Sequence, residues 1–240
     1  MHKDKSLRHF AMIVGLGAML ILSGCSHPLT VKNIHTYHVQ MPIPLEQRLS
    51  LGIIPQAGDR DSELILKRIP SALHANVDVT MPYQRGSSRE VDVIAQVSIQ
   101  PEYKGSGWNF LINWPGFLIF TPAWNGYVYK VNYKVDVDLT KADGNQPISS
   151  FSTPIELNIR HAAMNRTWTE ISWLEVSVIA FVGGIVFTRF DDQVSTLTAE
   201  KVKDDLAEYI AAKILGKLRA GGYAYRLPSD TKSISHAGKS

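Results

Sequence analysis

The sequence predicts an α+β fold: a two-layer sandwich with an antiparallel sheet, two helices on one of its faces, and two uncharged, Trp-rich insertions at one end. Three observations point there. Three stretches alternate apolar and polar residues with period two, two others repeat apolar residues at helical spacing, and an Asp-Gly turn separates two of the alternating stretches.

The first alternating stretch runs from Val91 to Ile99, with Val91, Val93, Ala95, Val97 and Ile99 set against Asp92, Gln96 and Ser98. The second is longer. From Tyr127 to Leu139 every odd position is apolar or aromatic, while the even positions include Lys130, Asn132, Lys134, Asp136 and Asp138. In the third, Phe151, Ile155, Leu157 and Ile159 alternate with Ser152, Glu156 and Asn158. A period of two with one polar face is the pattern of an antiparallel sheet covered on one side. Asp143-Gly144 lies between the second and third stretches and marks a tight turn.

The helices are read from capping and periodicity. After a short strand over Leu49–Pro55, a helix opens at Asp59 or Asp61, either of which can cap it. Pro70 kinks or ends that helix, and Ile65, Ile69 and Leu73 form its buried stripe. The spacing predicts a second helix from about Thr198 to Ala220. Thr198 is its cap, Val202, Leu206, Ile210, Ile214 and Leu218 line one face, and Gly221-Gly222 closes it.

All five tryptophans fall in two stretches. Residues 105–129 contain no charged side chain and hold Trp108, Trp114, Phe117, Phe120 and Trp124. Residues 167–190 hold Trp168, Trp173, Phe181 and Phe187, with Val176 to Thr188 uncharged. Neither is a convincing membrane-spanning helix. Pro115, Gly116 and Pro122 interrupt the first, and the second has 13 residues between Glu175 and Arg189, where about 20 are needed. Gly183-Gly184 fits either a hairpin turn or a break in a buried helix. Antiparallel order sends both stretches to the same end of the sheet, so we expect one composite apolar surface there. Tryptophan among apolar residues suits a membrane interface, and an exposed apolar patch more generally marks a lipid, ligand or protein contact. Two other arrangements fit the same residues: a second mini-core under the sheet, and an enclosed apolar pocket.

The amino-terminal residues supply an address. Lys3, Lys5 and Arg8 precede an uncharged run from Phe10 to Leu22, which ends in Leu22-Ser23-Gly24-Cys25. This arrangement resembles the signal peptide and lipobox of bacterial lipoproteins. The resemblance implies cleavage before Cys25, acylation of that residue, and membrane lipid as the partner of the anchor. Ser26 resembles the outer-membrane choice, so the expected location is the outer membrane with the body facing the periplasm. Cys25 is also the single cysteine, which excludes an internal disulfide. The expected organisation is a signal peptide over 1–24, a lipidated tether over 25–47 that can also pair as an edge strand, one α/β domain over 48–227, and a polar tail over 228–240.

Charge excludes one partner class. Removing residues 1–24 takes away Lys3, Lys5, Arg8 and Asp4, so 25 basic against 22 acidic residues becomes 22 against 21. A chain so nearly neutral, without basic runs among aromatics, gives no reason to expect nucleic acid. No Gly-x-Ser-x-Gly elbow, His-Glu-x-x-His helix, phosphate-binding glycine loop or cysteine pair occurs. His35 and His38 have no third ligand nearby in sequence, so no metal and no cofactor are expected. Asp191-Asp192 is read as the return of the second uncharged stretch to water. The expectation is therefore a non-enzymatic accessory or assembly lipoprotein that contacts membrane or an envelope protein through residues 105–126 and 167–190. The alternative is a carrier that shields an acyl chain or another amphiphile. The order strand, helix, antiparallel strands and closing helix resembles in outline the periplasmic α/β domains of secretion- and assembly-type lipoproteins.

Overall fold

A computed structural model of the chain describes residues 27–41, 49–113, 126–144, 146–162 and 188–223. Its strands are β1 (His27–Val31), β2 (Leu49–Ala57), β3 (Val77–Thr80), β4 (Val93–Lys104), β5 (Tyr127–Lys141) and β6 (Pro147–Ala162). Its helices are α1 (Arg60–Leu66), α2 (Ile69–Leu73), α3 (Trp108–Asn113) and α4 (Asp192–Leu218). The strands form one six-stranded sheet in the order β1-β6-β5-β4-β2-β3. The fold is α+β, as expected, but the sheet is mixed.

The antiparallel expectation holds for one part of the sheet. A bond from Lys141 N to Gln146 O (2.8 Å) closes the β5–β6 hairpin, and Gly144 adopts φ +83° in its turn. Ala142 N donates to Asp92 O, and Asn132 Nδ2 donates to Glu102 Oε2, so β4 rises as β5 falls. The edge strand β1 is antiparallel to β6. The expectation fails at β2, which pairs in parallel with both β3 and β4. The cause is connectivity. The chain leaves β2 into α1 and α2, and a crossover through helices returns the next strand in the same direction, where a hairpin would reverse it.

Local chemistry sets the elements. Asp59 caps α1: its Oδ1 accepts from Ser62 N at 2.8 Å and from Ser62 Oγ at 2.6 Å. Pro70 sits in the first turn of α2, where its missing N–H costs nothing, so it divides the predicted helix in two. At the start of β4, Asp92 Oδ2 accepts from Ser50 N (2.8 Å) and Ser50 Oγ (2.6 Å), and Asp92 N donates to Ser50 O (3.0 Å). That clamp aligns β4 beside β2.

Helix α4 begins six residues before the predicted cap. Asp191 Oδ1 accepts from Gln193 N at 3.1 Å and Asp191 O from Val194 N at 2.9 Å, so Asp191 starts the helix. Thr198 lies inside it, where its hydroxyl donates to Val194 O at 2.7 Å. The predicted stripe of Val202, Leu206, Ile210, Ile214 and Leu218 is buried, and each such side chain contributes about 1.5–3 kcal/mol. The odd positions of β5 are buried from Tyr127 to Leu139, as are Ile65, Ile69 and Leu73.

The chain divides into two compact units. One draws on 1–33, 103–131 and 156–198, the other on 34–102, 132–155 and 199–240. We call them the first and second unit.

Candidate functional site

Most of the sequence-predicted site lies outside the described residues: Cys25, Trp114, Phe117, Phe120, Trp124, Trp168, Trp173, Phe181 and Phe187. Trp108 is described. It opens α3, its N–H donates to Ser106 Oγ at 3.2 Å, and 59% of its surface is exposed. Among the described residues it and Leu197 are the exposed large apolar side chains.

The flanks of both uncharged stretches meet in the first unit. The Tyr103 and Phe190 rings lie 4.8 Å apart, and Tyr129 meets Phe190 edge-on at 5.4 Å. Gly105 is pressed against the Thr188 carbonyl so closely that a Cβ would overlap it, with Arg189 C at 2.6 Å. At the far flank of the first stretch, Gly126 adopts φ +66°. A Cβ there would meet the His27 ring at 2.7 Å and His161 N at 3.1 Å. His161 Nδ1 lies 3.0 Å from His27 O. The chain thus enters the first stretch, leaves the second and starts β1 within a few linked contacts.

Asn109 holds α3 to this corner. Its side chain is fully buried, with Nδ2 donating to Val128 O (2.9 Å) and Oδ1 accepting from Val128 N (2.7 Å). The carboxamide supplies the pair of hydrogen bonds that a neighbouring strand residue would supply. Sequence reasoning missed Gly105, Asn109, Gly126, His27 and His161. The two glycines bracket the first stretch, and that bracketing was the available signal.

Elsewhere the described residues offer little reactive chemistry. No three His, Cys, Asp or Glu side chains gather as a metal site among them. His38 Nε2 faces Asp205 Oδ1 at 3.3 Å, and its neighbour Tyr37 packs edge-on against Tyr209 at 5.3 Å, so this short stretch is fastened to α4. Tyr133 is buried and its hydroxyl finds no partner among the described residues. Burial, reinforced by the negative charges of Asp61 and Asp59, raises its pKa and keeps the phenol protonated. In the second unit a cleft of about 480 Å³ is lined by Pro55, Leu66, Pro70 and Met81 together with Glu63 and Lys67, which pair at 2.7 Å. No helix among the described residues is long and apolar enough to cross a membrane.

No protein-family model matches the chain, and no curated protein matches it. Among solved structures the chain is similar to a Xanthomonas campestris protein of the DUF330 family, at 8% identity over 77% of this chain and 95% of that one, with a TM-score of 0.41. It is also similar to rare lipoprotein B from Shewanella oneidensis, at 11% identity over 70% of this chain and 97% of that one, with a TM-score of 0.29. At these TM-scores neither likeness decides what this chain does.

Proposed function

We propose that the chain is an envelope lipoprotein, anchored in the outer membrane through lipid on Cys25, facing the periplasm, and acting as a non-enzymatic accessory or assembly component. In this reading residues 105–126 and 167–190 engage the membrane or an envelope protein. The observation that carries it is the meeting of the flanks: Tyr103 and Gly105 lie against Thr188, Arg189 and Phe190. The first stretch begins where the second ends, and together the two hold all five tryptophans. The lipobox-like Leu22-Ser23-Gly24-Cys25 supports the anchor.

Flotation with liposomes tests the contact. Residues 26–240, made without Cys25, should float, and Trp114→Ser combined with Trp173→Ser should abolish flotation. If this form stays at the bottom of the gradient, the stretches do not bind lipid and the contact is with a protein. A form that stays down yet carries an extractable acyl chain would favour the carrier reading.

A further inference from the structure

Resting on the Cys25 anchor proposed above, we propose that the corner of the first unit built by His27, Gly126 and α3 lies directly on the bilayer that holds the anchor, with Trp108 seated among the lipid headgroups. Very little chain separates the anchor from the sheet. His27 is the first residue of β1, and only Ser26 separates it from Cys25. Two residue steps reach at most about 7 Å.

That strand has no slack of its own. β1 pairs with β6, with His27 opposite Ala162 and, past a shift in register, Thr30 opposite Arg160 and Val31 opposite Ile159. Beyond it Lys32 N donates to Asn158 O (2.9 Å), and Asn33 exchanges bonds with Asn158 N (2.9 Å) and Glu156 O (2.5 Å). An anchor joined to such a strand holds the His27 end of the sheet at the membrane surface, whereas an anchor on a long flexible leader would leave orientation free.

Trp108 stands at the same corner by a short chain of contacts. Cys25 leads to His27, whose ring touches Gly126. Gly126 leads into Val128, which Asn109 grips, and Trp108 precedes Asn109. Successive helical positions point about 100° apart, so with Asn109 turned inward Trp108 is turned out. An exposed indole has an apolar body and one N–H donor, a combination suited to the headgroup level of a membrane. Charge agrees. Between Glu102 and Asp136 the chain carries Lys104, Lys130 and Lys134 and no acid, and residues 26–45 carry Lys32 and no acid. These two segments bring lysines and no carboxylate of their own toward phosphate headgroups, while Asp191 and Asp192 follow Phe190 nearby.

The test uses the full lipidated chain in vesicles of phosphatidylethanolamine and phosphatidylglycerol. Gly107→Cys places a thiol beside Trp108 at a position where a Cβ meets nothing within 4 Å. Cys25, blocked by lipid, does not compete for an environment-sensitive fluorophore. Asp143→Cys, in the exposed turn that follows the 15-residue β5, is the comparison. With nitroxide-labelled lipid at headgroup depth, quenching at 107 should exceed that at 143 at least twofold. Trp108→Ser in the Gly107→Cys protein should reduce it. Equal quenching at 107 and 143, on protein whose Cys25 carries lipid by mass spectrometry, overturns the proposal while the anchor stands. An unmodified Cys25 overturns the anchor reading and this proposal with it.

Discussion

The α4 face and the His27 corner are built by opposite means. Helix α4 buries Val202, Leu206, Ile210, Ile214 and Leu218 along one stripe, and any one of these could be exchanged for another aliphatic residue of similar volume at modest cost. The corner relies on absence of bulk. Gly105 lies against Thr188 and Arg189, Gly126 against His27 and His161, and one carboxamide does the work of a strand edge. A stripe of aliphatic residues tolerates error because its energy is spread over many contacts. Gly105, where backbone lies against backbone, does not, because no rotamer there can move out of the way.

The largest expected effect lies in a direct contrast. Gly105→Ala should cost about 2–4 kcal/mol, comparable to Leu206→Ala in the helix stripe, whereas Gly107→Ala, with open space around it, should be close to neutral. Urea midpoints of the three variants decide it. If Gly105→Ala behaves like Gly107→Ala, the corner is not clasped and the contrast collapses.

Asn109→Ala comes next, at about 1–3 kcal/mol, since it strands two polar groups of Val128. It sharpens the contrast by separating hydrogen bonding from close packing. Hydrogen exchange at Val128 should accelerate in this variant by far more than exchange at Val137, and uniform acceleration would count against a local role.

The smallest effect belongs to the solvated face of β5. The Asp136 carboxyl is held below its ordinary value first by a hydrogen bond from Ser152 and then by Lys134, 3.0 Å away. A carboxylate with a lowered folded pKa contributes stability that is complete above its unfolded value, near 3.8, and lost as pH falls through the lowered one. Asp136→Asn should therefore remove less than about 0.5 kcal/mol at neutral pH, because the pair is exposed, and nothing at the acid end. Thermal midpoints followed from pH 7 down to pH 3 would show the gap narrowing as the carboxyl takes up its proton.

These regions also differ in how legible they are in the sequence. β5 is visible residue by residue because one face meets water and the other the core, so the period of two survives intact. The α4 stripe is visible for the same reason at its own period. The start of α4 was hidden because Asp191-Asp192 also reads as the end of an uncharged stretch; Val194, buried one turn on, belongs to the helix. The parallel pairing of β2 left no local trace, and β3, four residues with only Val77 buried, lacks a full alternation. The corner was unreadable for a different reason. Gly105 meets residues more than 80 positions away, and a glycine whose neighbours lie that far off looks in sequence like any loop glycine.

The register of β1 has a consequence for biogenesis. His27 pairs with Ala162, so the strand nearest the amino terminus is seated by one of the last strands to be made. Chains emerge amino terminus first, at roughly 5–20 residues per second. For the several seconds in which residues 32–162 are still being delivered, the His27–Val31 edge has nothing to pair with. Within the proposal above, Cys25 is within reach of processing during that interval, before β6 arrives and draws the strand into the sheet. Closing the sheet and settling its corner on the lipid would then be a single late event.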